Sequence, residues 1–143
     1  MKIIFLDFDG VLNFSGFLEE RENIHAIDPV CVHRLNRIID ATDAQVVVSS
    51  TWRIFFNNQQ LREILRDAGF KGQLIDTTID LGGHRGDEIR HWLNNHLGVT
   101  SFVILDDNDD GISDHFKDQW VETSFVTGLL KVHVEKAINI LNG

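Results

Sequence analysis

The sequence has one cysteine, one proline and no tyrosine, and its net charge is not basic. Each shortage excludes something. A lone thiol, Cys31, cannot form an intramolecular disulfide, so the disulfide-stapled class of small domains is out. In its setting, PVCVHRLNRII, it reads as a buried, inert side chain. One proline and no low-complexity tract argue against a linker or a disordered chain. No apolar run approaches the roughly 20 residues of a membrane span. The apolar stretch near the N-terminus is four residues long and breaks at Asp7, which does not fit a signal peptide. A cytoplasmic protein with no membrane partner is expected. With 13 Lys and Arg against 22 Asp and Glu, the formal charge of −9 disfavours general adhesion to nucleic acid, although it leaves room for a local basic patch. The phosphate-cradling patterns G-x-x-x-x-G-K-[ST] and G-x-G-x-x-G are absent. Gly82-Gly83-His84-Arg85-Gly86 is by itself only a loop signal.

What is present suffices for a core. The 143 residues fit one domain, residues 1–143, and 43% of them are hydrophobic. Short, continuous apolar runs at 2–6 (KIIFL), 45–48 (QVVV) and 101–105 (SFVIL) read as buried strands, with shorter candidates at 73–76 and 120–123. Between them lie helical patterns. Asp28 and Pro29 open one as N-cap and first helical residue, and Val32, Leu35, Ile38 and Ile39 carry it to about residue 42. Residues 53–67 form a second, with Leu61, Ile64, Leu65 and Ala68 on one face and Gly69 closing it. A third starts at His84 or Gly86, runs to Leu97 and closes at Gly98, and a last one spans 130–141. Residues 10–27 read as a loop with room for a small hairpin. Strand and helix alternate, and the strands are apolar rather than alternating. That predicts an α/β fold, a three-layer α/β/α sandwich around a Rossmann-like parallel sheet. Ligands in such sheets bind beyond the carboxyl ends of the strands.

Those ends are polar. The first strand runs into Asp7-Phe8-Asp9-Gly10, the second into Ser49-Ser50-Thr51, and the strand at 101–105 into Asp106-Asp107-Asn108-Asp109-Asp110. In a parallel sheet these ends share one edge. Five or six carboxylates there cannot all ionise without a counter-charge. A hard divalent cation with oxygen ligands, such as Mg²⁺, is the natural remedy. Taken singly, each signal is weak: D-x-D occurs at ordinary turns, and an acidic run is usually surface. Asp106-x-Asn108-x-Asp110-Gly111 starts like a calcium-binding EF-hand loop, but Lys117 stands where that loop needs a glutamate, and a strand rather than a helix precedes it.

In combination, D-F-D-G-V-L, then S-S-T, then a basic residue opening a helix, then D-D-x-x-D, in that order, resembles the haloacid dehalogenase superfamily of phosphohydrolases. The resemblance covers nearly the whole chain. Trp52-Arg53, R-G-D-E-I-R-H-W-L, V-I-L-D-D and the late T-G-L further resemble the small domain of this type in Swiss-army-knife RNA-repair proteins. The resemblance implies a Mg²⁺-dependent phosphatase working through an aspartyl-phosphate. Asp7 matches the nucleophile and Asp9 the general acid and base, with the Asp9 carbonyl touching the metal. Ser50, or Ser49 one residue earlier, matches the hydroxyl that binds a phosphoryl oxygen. Gly10, Thr51 and Arg53 fall among the substrate-binding positions. Arg53 has a second reading as a cap on its surroundings. Arg85 matches a third-motif cation that is more often lysine. Asp107 matches the principal acidic metal ligand, alongside Asp7, Asp9 and Asp106, with Asp106 and Asp110 also placed to hold Arg85. Trp52 and Trp92 read as core packing before base stacking, and His25, His33, His91, His96, His115 and His133 as helix-surface or loop residues. Too little sequence separates the motifs for a sizeable cap domain. An open site suits a bulky phosphorylated substrate such as a polynucleotide end. A small phosphometabolite or nucleotide, or a non-catalytic metal- and phosphate-binding role, are the alternatives.

Overall fold

A computed structural model describes residues 1–143. Five strands form one fully parallel sheet: β1 (Lys2–Leu6), β2 (Gln45–Val48), β3 (Leu74–Thr77), β4 (Ser101–Asp106) and β5 (Trp120–Glu122). Their spatial order is β3-β2-β1-β4-β5, so β1 is central and pairs with both β2 and β4. Alternation along these strands sends their side chains to two cores. Ile4, Leu6, Val46, Val48, Val103 and Leu105 face the larger one. Helices α2 (Pro29–Thr42), α3 (Asn58–Asp67) and α6 (Lys131–Asn142) close it with Val32, Leu35, Leu61, Leu65, Val134 and Leu141. Each such fully buried aliphatic contributes roughly 1.5–3 kcal/mol. Ile3, Phe5, Val47 and Ile104 face the smaller core, covered by α4 (Arg85–Asn94) and α5 (Ile112–Phe116) through Ile89, Trp92 and Ile112. This is the expected three-layer sandwich, and no cap domain interrupts it.

Local chemistry fixes most helix ends. Asp28 accepts from the Val30 amide at 2.9 Å, with Pro29 in the first turn of α2. Asn57 and Gln60 form a reciprocal capping box at α3. That cap corrects the expected helix 53–67: a 3₁₀ turn, Thr51–Ile54, capped by Ser50, comes first, and α3 begins only after Asn57. The stretch expected as loop or hairpin contains α1 (Ser15–Arg21). Phe14, Phe17 and Arg21 line one face, with the Arg21 guanidinium 4.0 Å above the Phe17 ring. The charges at 19–22 mask that spacing in the sequence. Helix α4 stops at Asn94 rather than Leu97. The Asn95 side chain donates to the His91 carbonyl at 2.8 Å and a His96 ring nitrogen meets the Trp92 carbonyl at 2.7 Å, so side chains satisfy the last turn. Leu97 is 91% exposed, so no burial carries the helix onward. The short α5 was not expected at all. Cys31 is buried on the core face of α2, and burial together with Asp28 pushes its thiol up to about 11, as an inert core thiol requires. No helix is long and apolar enough to cross a membrane.

Candidate active site

The site follows from register. Phe5 pairs with Ile104 and Leu6 with Leu105, so the next residues, Asp7 and Asp106, stand side by side at the carboxyl edge of the sheet. The Asp7 amide still bonds the Leu105 carbonyl at 3.1 Å, so the ladder holds the Asp7 backbone in place. Both acids are buried, 6% and 0% exposed. They lie on the α4 side of the sheet, where the first helical residue, Arg85, reaches in. Its Nη1 donates to Asp106 Oδ2 at 2.7 Å and lies 3.2 Å from Asp7 Oδ2. Asp106 Oδ1 accepts from the Asn108 amide at 3.0 Å, and Asp7 Oδ1 from the Phe8 amide at 2.8 Å.

The electrostatics follow from this crowding. Burial first, and Asp106 second, hold the Asp7 carboxyl well above the ordinary range; Arg85, the Phe8 amide and the Ser50 hydroxyl pull it back only partly. Burial also raises Asp106 against the pull of Arg85, and burial with Asp106 raises Asp107. Burial works against the Arg85 charge, but Asp7, Asp106 and Asp110 outweigh it and raise its pKa, so Arg85 stays cationic.

One carboxylate oxygen from each of Asp7, Asp106 and Asp107 lies within 4.8 Å of the other two. One guanidinium against these three acids leaves charge uncompensated. The donor set is all oxygen, which suits a hard cation of the Mg²⁺ kind. Gly10 makes the approach possible: its φ is +78°, and a Cβ there would run into the Asp107 carboxyl group. The Asp9 carboxyl is not part of this trio.

Asp9 is held differently. The Asn13 side-chain amide donates to its Oδ1 at 2.9 Å and to the Ala26 carbonyl at 3.1 Å, while Asn13 Oδ1 accepts from the Gly10 amide at 3.0 Å. Fully buried Asn13 thus ties Asp9 to the turn of Gly10. The sequence reading assigned Asn13 no role, although a polar residue directly after the apolar V-L pair was the available signal. At the end of β2 the two serines separate. Ser50 is the hydroxyl that favours ionised Asp7, and it also caps the 3₁₀ turn by accepting from the Trp52 amide at 3.2 Å. Ser49 Oγ is buried with no partner. Thr51 is exposed at the start of the turn.

Arg53 is already committed. Its guanidinium grips both oxygens of buried Glu88 at 2.9 and 2.8 Å and donates to Thr78 Oγ1 at 3.1 Å. Glu88 also accepts from the Leu81 amide at 3.0 Å. The geometry therefore fits the capping reading: Arg53 and Glu88 bind the loops after β2 and β3 to the helix that carries Arg85. Glu88 went unnoticed in the sequence because it sits among other charges of α4. Asp110 Oδ2 accepts from the Arg85 amide at 3.2 Å and Oδ1 meets His84 Nδ1 at 2.9 Å, so it holds the start of α4. That hydrogen bond lowers Asp110 and raises the His84 pKa. Trp52 is buried against Phe8 and Phe56, and Trp92 against Phe5, with its indole N–H on Asp76 at 2.8 Å. Neither is free to stack a base. His133 corrects the expectation of a surface histidine: it is buried, and its Nδ1 accepts from the Leu130 amide at 2.9 Å.

The model of a family described as the HAD domain in Swiss Army Knife RNA repair proteins matches residues 3–134. No curated protein and no solved structure matches the chain.

Proposed function

Because the chain belongs to this family of haloacid-dehalogenase domains of Swiss Army Knife RNA repair proteins, and because its strand-end acids carry a phosphatase-like arrangement, we propose that it is a Mg²⁺-dependent phosphomonoesterase acting on nucleic-acid ends. The observation that carries the reading is the trio of buried Asp7, buried Asp106 and half-buried Asp107, with Arg85 in contact with the first two.

In the first half-reaction an Asp7 carboxylate oxygen attacks phosphorus, the bond to the leaving oxygen breaks, and the Asp9 carboxyl gives that oxygen its proton. The Asp7 backbone stays in the sheet ladder, so the nucleophile does not have to be immobilised on binding. In the second half-reaction Asp9, now a carboxylate, takes a proton from water. The water oxygen attacks the phosphorus of the aspartyl-phosphate, which frees Asp7 and inorganic phosphate. Asn13 engages only one Asp9 oxygen, leaving the other for proton transfer. Ser50 supplies a hydroxyl to a phosphoryl oxygen. Arg85 favours the ionised form of Asp7 and aligns it. Mg²⁺ held by Asp7, Asp106, Asp107 and the Asp9 carbonyl would supply charge neutralisation on the transferring oxygens.

Phosphate release from an aryl phosphate, with and without Mg²⁺, tests the chemistry; unchanged activity in Asp7→Asn ends it. A panel of 3′- and 5′-phosphorylated oligonucleotides against nucleotides and sugar phosphates tests the substrate. No preference for any oligonucleotide end would turn the reading to a small phosphometabolite. Mg²⁺-dependent binding of beryllium fluoride without turnover of any substrate would turn it to a non-catalytic phosphate-binding module.

A further inference from the structure

An open cleft of about 620 Å³ adjoins the site. Asp107 forms one wall, and the others come from the segment after β5 and the start of α6, including Thr123, Phe125, Leu130 and His133. Three features make it a built surface rather than a gap. Thr123 is 4% exposed, and its Oγ1 is buried with no partner. A buried, unbonded hydroxyl is costly unless something arrives to pair with it. His133 accepts the Leu130 amide at Nδ1, so the neutral ring carries its proton on Nε2, which bonds no protein group. Burial, and then Lys136, lower its pKa and favour that neutral form. Phe125, 43% exposed, presents an aromatic ring at the mouth.

The segment that carries them is anchored. Gly128 and Thr127 amides bond the Ser124 carbonyl, Leu129 bonds the Val11 carbonyl at 2.8 Å, and the Phe125 carbonyl accepts from Ser15 at 2.8 Å. Gly128 has φ +68° and packs closely on Cys31 and the Asn13 carbonyl, so the loop lies directly on the D-F-D-G-V-L-N turn. No lysine or arginine lines the cleft, and Asp107 and Glu122 do. That lining repels an anion. Of its three hydroxyls, those of Ser124 and Thr127 are already bonded within the loop, so it offers the unpartnered Thr123 hydroxyl, one N–H donor and one flat apolar face.

We propose that this cleft is the leaving-group subsite of the phosphatase, and that it takes a neutral, hydroxyl-bearing group with a flat face: the nucleoside attached to the scissile phosphate. The assignment rests on the phosphatase reading for its name but not for its binding chemistry. Phe125 would stack on the base, and Thr123 Oγ1 and His133 Nε2–H would meet sugar or base hydroxyl and carbonyl groups. These are binding residues. They touch no phosphoryl oxygen.

Titrating the full chain with adenosine, followed by NMR, tests the subsite without any reaction. Saturable shifts at Thr123, Phe125 and the His133 ring are expected. Phe125→Ala should weaken them about tenfold, the order expected for one lost stacking contact, and the near-isosteric Thr123→Val should weaken them as well. Shifts elsewhere, or none that saturate, overturn the proposal. In kinetics, the ratio of kcat/KM for adenosine 3′-monophosphate to that for acetyl phosphate should fall about tenfold in Phe125→Ala. An unchanged ratio also overturns it. If the wild-type chain hydrolyses neither these compounds nor an aryl phosphate or a phosphorylated oligonucleotide, the phosphatase reading fails and the adenosine titration alone decides the subsite.

Discussion

Gly10 and Asp107 occupy one another's space: the missing side chain of the first is where the carboxyl group of the second lies. The turn after β1 and the turn after β4 are therefore matched parts, although Gly10 and Asp107 stand 97 positions apart in the chain. The φ of +78° at Gly10 adds a second reason that only glycine fits. Gly10→Ala should cost about 2 kcal/mol or more of stability and should displace Asp107. Urea denaturation combined with a Mg²⁺ titration checks it. An unchanged midpoint with unchanged Mg²⁺ affinity would contradict the match.

Arg85 is the largest influence that favours the carboxylate form of Asp7. Burial and Asp106 hold Asp7 well above its ordinary range, and Arg85 opposes them. Removing the cation in Arg85→Gln should raise Asp7 further. The acid limb of the kcat/KM profile should move to higher pH, and kcat should fall about 100-fold or more. Arg85→Lys, which keeps a charge, should restore the position of the limb better than it restores kcat. A profile that does not move would remove Arg85 from this role.

The metal-free acids strain the fold at neutral pH. Asp7, Asp106 and Asp107 all have folded pKa values raised above the unfolded 3.8, chiefly by burial. Their contribution to stability is therefore most favourable below 3.8 and is lost as pH rises through the raised folded values. Asp107→Asn relieves one charge without depriving Arg85 of a partner. Its Tm without Mg²⁺ at pH 7 should rise by about 2 °C. The Tm gain that Mg²⁺ gives the wild type by mass action should shrink or vanish in the variant. Thermal scans with Mg²⁺ and with a chelator measure both effects.

Arg53 and Glu88 form a pair whose halves need each other. Their side chains are 12% and 4% exposed. Arg53→Met leaves Glu88 a buried carboxylate without its cation and should cost about 3 kcal/mol. Arg53→Met combined with Glu88→Met should recover much of that loss, since two apolar groups replace a buried ion pair. If Arg53 instead served only to bind substrate phosphate, the single variant would keep its stability and lose only KM. Denaturant midpoints of the two single variants and the double variant separate the cases.

The strands were legible because short apolar runs and their polar ends are local features. β1, β2 and β4 stand within a residue of where KIIFL, QVVV and SFVIL place them. Helix α2 announced itself through Asp28 and Pro29. Helix α1 did not, because a seven-residue helix anchored by Phe14 and Phe17 carries little periodic signal beneath a charged surface. The end of α4 was misjudged because Gly98 is the familiar stop signal, whereas Asn95 and His96 close the helix first with side chains.

The sequence by itself determined that acids and hydroxyls end the strands of a parallel sheet, since both the apolar runs and the residues that follow them can be read along the chain. Only the tertiary structure decided the pairings. The order β3-β2-β1-β4-β5 puts Asp7 beside Asp106 and brings Arg85 to both. It commits Arg53 to Glu88 and gathers Asp107, Thr123 and His133 around one cleft. Side-chain alternation is encoded residue by residue. Which ends meet depends on strand order and register, and those are settled by burying two hydrophobic faces at once.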